Sequence, residues 1–188
     1  MKKKTSSQRI RIEKEDDRYV ITILPLHDSA KSRMMLIWLI LWLVCGAVVL
    51  YEMFGNHSRE EKMVLLVYLA FWCYFAYRIS RVYRWRQSGR EEISIKDQTI
   101  SIGKFTAGRG FVNDYHLQSI GKPEIAEINP TSFAAVFAQS YWMEGNEGLF
   151  FLTNTKQRVG FGLQLSNTEQ QVLLKEINRL IKSSLSST

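Results

Sequence analysis

The chain has 188 residues, 46% hydrophobic and 23% charged, with a formal net charge of +7, averages that would suit a soluble globule. The charge is uneven: residues 1–33 and 78–90 are strongly basic, while residues 52–62 and 91–188 each carry one net negative charge. A nucleic-acid binder concentrates its cations on a folded domain; here they flank two apolar blocks instead, which excludes nucleic acid as the expected partner and points to a membrane.

Met1-Lys2-Lys3-Lys4 is followed by charged residues rather than an apolar run, so no cleavable secretory signal is expected. Ile10 and Ile12 alternate with Arg9, Arg11 and Glu13. Glu15-Asp16-Asp17 reads as a turn, and Tyr19 to Leu24 as a second strand ending at Pro25. A lone hairpin is marginal in water, so residues 1–29 are expected to join a sheet formed by residues beyond the apolar blocks.

The first block, Met34 to Tyr51, has eighteen residues without a charge, about 27 Å as a helix. The second, Met63 to Tyr77, has fifteen and reaches about 22 Å; carried on to Tyr83 it reaches about 31 Å, with Arg78 and Arg81 extending toward headgroups. The short loop Glu52–Lys62, with Gly55-Asn56, allows a tight helical hairpin over residues 30–87, with spans at about 34–51 and 63–83. Five arginines follow the second span, Lys31 and Arg33 precede the first, and the loop is acidic. Both termini are therefore expected on the cytoplasmic side.

Residues 88–183 read as a mainly β domain. Ile93 and Ile95 alternate, Asp97-Gln98 turns, and Ile100 and Ile102 alternate again. Further strands are expected at about Val112–Leu117 and Glu124–Ile128, and a final hairpin pairs Leu149–Thr153 with Gln157–Phe161. Phe133 to Trp142 fits helix or strand. Ser166 and Glu169 form a capping box ahead of the stripe Leu173, Ile177, Leu180 and Ile181. Residues 184–188 are a polar tail. The expected fold class is a membrane α-helical hairpin plus a cytoplasmic β-barrel or sandwich closed by a C-terminal amphipathic helix.

The closing strand Arg158-Val159-Gly160-Phe161-Gly162, then Leu163, then the capped helix opening Ser166-Asn167-Thr168-Glu169, resembles the end of a pleckstrin-homology-like (PH-like) domain. With the hairpin and its basic exit, the chain resembles bacterial membrane proteins that carry such a domain beside a short transmembrane hairpin. The resemblance covers residues 90–183, and 9–25 if the first hairpin joins the sheet. It implies the bacterial inner (cytoplasmic) membrane and a binding or scaffolding module rather than an enzyme. In eukaryotic relatives of the fold, cations between the first strands cradle phosphoinositide headgroups; here the membrane hairpin occupies that connection.

The residues supply no catalytic constellation. His27, His57 and His116 are scattered without metal-ligand spacing; His116 is the best single candidate for a base but reads as a polar strand residue. There is no phosphate-binding loop and no nucleophile elbow, so neither cofactor nor metal is expected. Cys45 and Cys73 lie within the apolar blocks and read as small packing residues. The pairs Glu60-Glu61 and Glu91-Glu92 read as solvated or interfacial charge.

Three groups remain as candidate sites. Arg78, Arg81, Arg84, Arg86 and Arg90, interleaved with Tyr83 and Trp85, read as a topology determinant and, more sharply, as an anionic-lipid contact. Phe133, Phe137, Tyr141, Trp142 and Met143 are candidates for core or for a partner surface. Lys104, Arg109, Lys122, Lys156 and Arg158 could receive a small anionic ligand if they converged on one concavity. The leading expectation is a non-catalytic accessory, scaffold or assembly subunit that contacts membrane lipids and docks on a larger membrane protein complex. The alternative is a membrane effector or sensor whose β domain binds a nucleotide messenger or lipid headgroup and whose hairpins self-associate. The near-neutral charge of the β domain favours the first.

Overall fold

The computed structural model describes residues 9–15, 18–126 and 140–186. Its elements are β1 (Ile10–Glu15), β2 (Arg18–Ile23), α1 (Ser29–Glu52), α2 (Arg59–Ser88), β3 (Gly89–Lys96), β4 (Thr99–Thr106), β5 (Arg109–His116), a 3-10 turn at Leu117–Ser119, β6 (Glu124–Ile125), β7 (Glu147–Leu152), β8 (Arg158–Leu163) and α3 (Asn167–Ser186).

Helices α1 and α2 start at side-chain caps. Asp28 accepts from the backbone N–H groups of Ala30 and Lys31 at 3.0 and 3.1 Å. Ser58 and Glu61 form a reciprocal capping box. With 24 and 30 residues they run about 36 and 45 Å, and both are long and apolar enough to cross a membrane. They pack on each other through Gly46, where a side chain would strike the Trp72 ring. Around that contact Trp42 Nε1 donates to the Trp72 carbonyl at 3.2 Å and Trp72 Nε1 to the Trp42 carbonyl at 2.7 Å. Elsewhere the pair leaves large apolar side chains exposed, among them Met34, Leu41, Val48, Val64 and Phe71, a surface far larger than isolated surface hydrophobics produce.

Five strands form an antiparallel sheet in the order β1-β2-β3-β4-β5. The helical hairpin is thus inserted between two hydrogen-bonded neighbours, β2 and β3, and the N-terminal hairpin belongs to the same sheet as the strands after α2. Helix α2 enters β3 without a loop. Gly89 permits this, because a Cβ there would lie 2.4 Å from the Trp85 carbonyl oxygen and 2.6 Å from its ring. The β3–β4 turn has positive φ at both Asp97 and Gln98, and the β4–β5 turn at Ala107 and Gly108, the geometry that suits the twist of two-residue hairpins.

The register lays isoleucines in rows across the sheet: Ile12, Ile21, Ile93 and Ile102 in one, and Tyr19, Ile95, Ile100 and Tyr115 in the next. A second sheet, β6-β7-β8, contributes Leu149, Phe151 and Phe161, and α3 contributes Leu173, Ile177 and Leu180 to the same core. The capping box at α3 is present, with Ser166 N–H donating to Glu169 Oε2 at 2.9 Å. The strand expected at Val112–Leu117 begins three residues earlier, at Arg109, because the turn sits on Ala107-Gly108 rather than on Gly108-Arg109-Gly110. Phe133 and Phe137 lie outside the described residues, as does the end of the strand expected at Glu124–Ile128.

Candidate functional site

The last turns of α2 carry Ile79, Val82, Trp85 and Arg86 on one buried face. Ile79 and Val82 meet Met35 and Leu39 of α1, with Trp38, Tyr83, Tyr141 and Trp142 packed around them. Trp142 meets Trp38 edge-on at 5.3 Å. The Tyr141 hydroxyl lies 3.2 Å from both the Asp28 carbonyl oxygen and Ser32 Oγ. Of the aromatic and methionine candidates, the three that are described are therefore half-buried against the chain's own helices, and they join the helical hairpin to the β domain.

Arg86, only 2% exposed, forms the centre of this junction. Its guanidinium donates to the carbonyl oxygens of Leu26 (3.2 Å), Tyr141 (3.3 Å) and Met143 (3.0 Å) and to Gln164 Oε1, and lies 4.3 Å over the Tyr141 ring. Gln164, held at φ 58°, in turn donates to the carbonyls of Met143 and Glu144 at 3.3 and 2.7 Å. One guanidinium thus ties together the segment before α1, the end of α2, the segment before β7 and the residue after β8. A planar five-donor fork suits several carbonyls at once, as a lysine ammonium does not.

The arginine series therefore divides. Arg86 and Trp85 are buried in the junction and are withdrawn from the expected headgroup contact, because burial removes them from any bilayer surface. Arg90 lies on β3, pairs with Glu92 at 2.6 Å and covers the Phe105 ring. Arg84 is exposed. Arg78 donates to the Tyr74 hydroxyl at 2.8 Å and to the Met143 sulfur at 3.2 Å, and Arg81 pairs with Glu144 at 2.7 Å.

Beside the junction lies a cleft of about 690 Å³ between α2, the β4–β5 hairpin and residues 144–147, lined in part by Arg81, Lys104, Arg109, Glu144 and Glu147. It adjoins a second hollow of about 410 Å³ that runs down α2 past Arg78 to Tyr77 and Tyr74. Of the five cations expected around an anion, the cleft gathers Lys104 and Arg109 only. Lys122 and Lys156 are exposed outside it, and Arg158 is stacked 4.3 Å over Phe150. Lys104 is engaged by Glu147 at 2.8 Å and Glu91 at 3.7 Å. Convergence on one concavity, the condition for the anion site as drawn from sequence, is not met.

Glu91 corrects a second expectation. It is not solvated but fully buried, in the row Ile10, Ile23, Glu91, Lys104 on the core face of the sheet. Its Oε2 accepts from the Leu163 backbone N–H at 2.8 Å. Burial pushes its carboxyl above the ordinary range, opposed by the Leu163 N–H and Lys104. A raised folded-state value favours the protonated form, so the stability it confers is full below the unfolded value and is lost as pH rises through the folded one. Glu91→Gln is thus expected to raise the melting temperature above that of the wild type at pH 8, with the gain vanishing toward pH 4, as thermal scans across that range would show. A deficit in the variant at pH 8 would mean that the Lys104 pairing outweighs desolvation.

Alternation could have found Glu91, since Glu91, Ile93 and Ile95 share one strand face. Arg86 was also readable, seven residues after Ile79 and four after Val82 on one helical stripe. Gln164 carried no such signal. Among the described residues no cluster of histidine, cysteine and acidic side chains could hold a metal ion. No protein-family model, curated protein or solved structure matches the chain.

Proposed function

We propose that the chain is a non-catalytic accessory, scaffold or assembly subunit of a larger membrane protein complex. It is held in the bacterial inner membrane by α1 and α2, with both termini and a PH-like domain on the cytoplasmic side. The observation that carries this reading is the Arg86 junction, which fixes the β domain to the helix pair by hydrogen bonds donated from α2 to three other segments of the chain. A domain so fixed presents its surface at a set height and angle above the bilayer, which serves docking. The exposed apolar flanks of both helices supply surface for lipid or for a partner's helices. The order of five strands, three strands and a closing helix supports the PH-like reading, and the basic exit from the second span supports the orientation.

The test is purification of the tagged protein from its native membranes in mild detergent, with sizing and identification of co-purifying chains. Recovery in fixed proportion with a large membrane complex is expected. Recovery alone, as a monomer or homo-oligomer, would contradict the accessory role. It would favour the sensor reading, for which the cleft holding Lys104 and Arg109 is the supporting feature.

A further inference from the structure

The two hollows along α2 form one groove that carries two tyrosines at one end and two further cations at the other. Tyr74 and Tyr77 belong to the apolar stretch of α2, Arg78 is the first charge after it, and Arg81 lines both hollows. The far end reaches Lys104 and Arg109. Four cations and two acids line it, Glu144 and Glu147, a surplus of two positive charges at the surface. Arg81 and Lys104 already have carboxylate partners. Arg78 has a hydroxyl and a sulfur instead, and no ion pair is found for Arg109 among the described residues.

We propose that this groove holds one anionic phospholipid molecule. Its phosphodiester lies among the cations, drawn by Arg78 and Arg109, and an acyl chain passes down α2 along Tyr77 and Tyr74. Cationic lining starts at Arg78 and continues to Lys104 and Arg109, in the direction in which α2 would leave the bilayer. Apolar side chains accompany it along the whole length, Tyr74 and Tyr77 at one end and Trp85 and Phe111 at the other, which matches an amphiphile entering from the membrane rather than a soluble anion. A guanidinium without a carboxylate partner is available for a charge-assisted bond to a phosphate oxygen. Glu144 and Glu147 can accept from headgroup hydroxyls, as a glycerol headgroup offers. This inference rests on the proposed membrane insertion of α1 and α2. It differs from a diffuse basic surface in requiring one bound lipid and two particular arginines.

The experiment compares the full chain in phosphatidylcholine nanodiscs with and without a phosphatidylglycerol fraction. Retained lipid per chain is read by mass spectrometry of the intact complex, and affinity by thermal shift on titration. One retained phosphatidylglycerol per chain is expected. Arg109→Gln and Arg78→Gln are each expected to weaken it about fivefold, the value of about 1 kcal/mol per cation. Lys96→Gln, at the opposite end of the β3–β4 ladder, should leave it unchanged. Arg109 is exposed on an edge strand, so its variant keeps the test alive if Arg78→Gln fails to fold. Equal binding by wild type and Arg109→Gln, or equal loss with Lys96→Gln, would overturn the site. So would the same stabilisation by inorganic phosphate in detergent, which would assign the groove to a soluble anion. A chain recovered without detergent in the soluble fraction would overturn the membrane reading itself, whereas a membrane-embedded chain that retains no phosphatidylglycerol overturns the groove alone.

Discussion

Gly46→Leu is expected to split the α1–α2 pair and lower the thermal midpoint in mild detergent by roughly 10 °C, from about 3 kcal/mol of overpacking and lost hydrogen bonds. A Cβ at position 46 would sit 1.8 Å from the Trp72 ring, a distance no rotamer adjustment of a small group can absorb. Trp72 would have to swing away. In doing so it would give up its bond to the Trp42 carbonyl and the bond its own carbonyl receives from Trp42. Hydrogen bonds between helices in an apolar medium contribute modestly, about 0.6 kcal/mol each on average, so the steric part dominates. Ala47→Leu is the matched control, because Ala47 is exposed and its replacement should shift the midpoint by about 1 °C or less. Thermal scans of both variants, with indole fluorescence as the probe, check the contrast. Equal tolerance of both would mean that the helices do not meet at Gly46.

The second large effect is at the junction. Arg86→Met should cost about 3 kcal/mol, because buried neutral acceptors left without a donor cost about 1–3 kcal/mol each and the loss of the buried cation offsets part of the sum. The loss leaves the carbonyls of Leu26, Tyr141 and Met143 and the amide of Gln164 without their shared donor. It also removes the cation from the Tyr141 face. Arg86→Lys should recover only part of this, since one ammonium cannot reach four acceptors in a planar fork. Arg84→Gln, exposed two residues earlier, should change stability by about 0.5 kcal/mol or less. Limited proteolysis supplies a second readout. Residues 140–146 should become cleavable in Arg86→Met under conditions in which the wild type resists, because that segment is held to α2 by these bonds. Undiminished resistance in Arg86→Met would remove the junction as the link between helices and domain.

Much of the fold could be read from alternation and periodicity. Ile10, Ile12, Ile93, Ile95, Ile100 and Ile102 announced their strands, and they meet in the rows that the register builds. Ser166 and Glu169 announced the start of α3. What resisted reading was the role of charged residues whose position on a buried face is local but whose partners are distant in sequence. Five arginines in thirteen residues look alike as a flank. Arg86 differs because residues 26, 141, 143 and 164 converge on it, and no local pattern encodes that convergence. Tyr141 and Trp142 showed an aromatic surface but not its occupant, which is the chain's own α1. Lys104 and Arg109 belong to one cleft because β4 and β5 pair next to residues 144–147, whereas Lys122, Lys156 and Arg158 lie elsewhere.

The proposed role depends first on α1 and α2 crossing a bilayer with the Glu52–Lys62 loop on the far side from the β domain. The most direct measurement is labelling by a membrane-impermeant maleimide in intact cells. It uses a Cys45→Ala/Cys73→Ala background with a single new cysteine placed by Asn56→Cys or by Ser184→Cys. Cys45 and Cys73 are exposed on the helix surfaces, so the background should fold. Asn56→Cys is expected to be labelled from outside, and Ser184→Cys only after the inner membrane is opened. Labelling of Ser184→Cys from outside, or of neither site before opening, would contradict this topology.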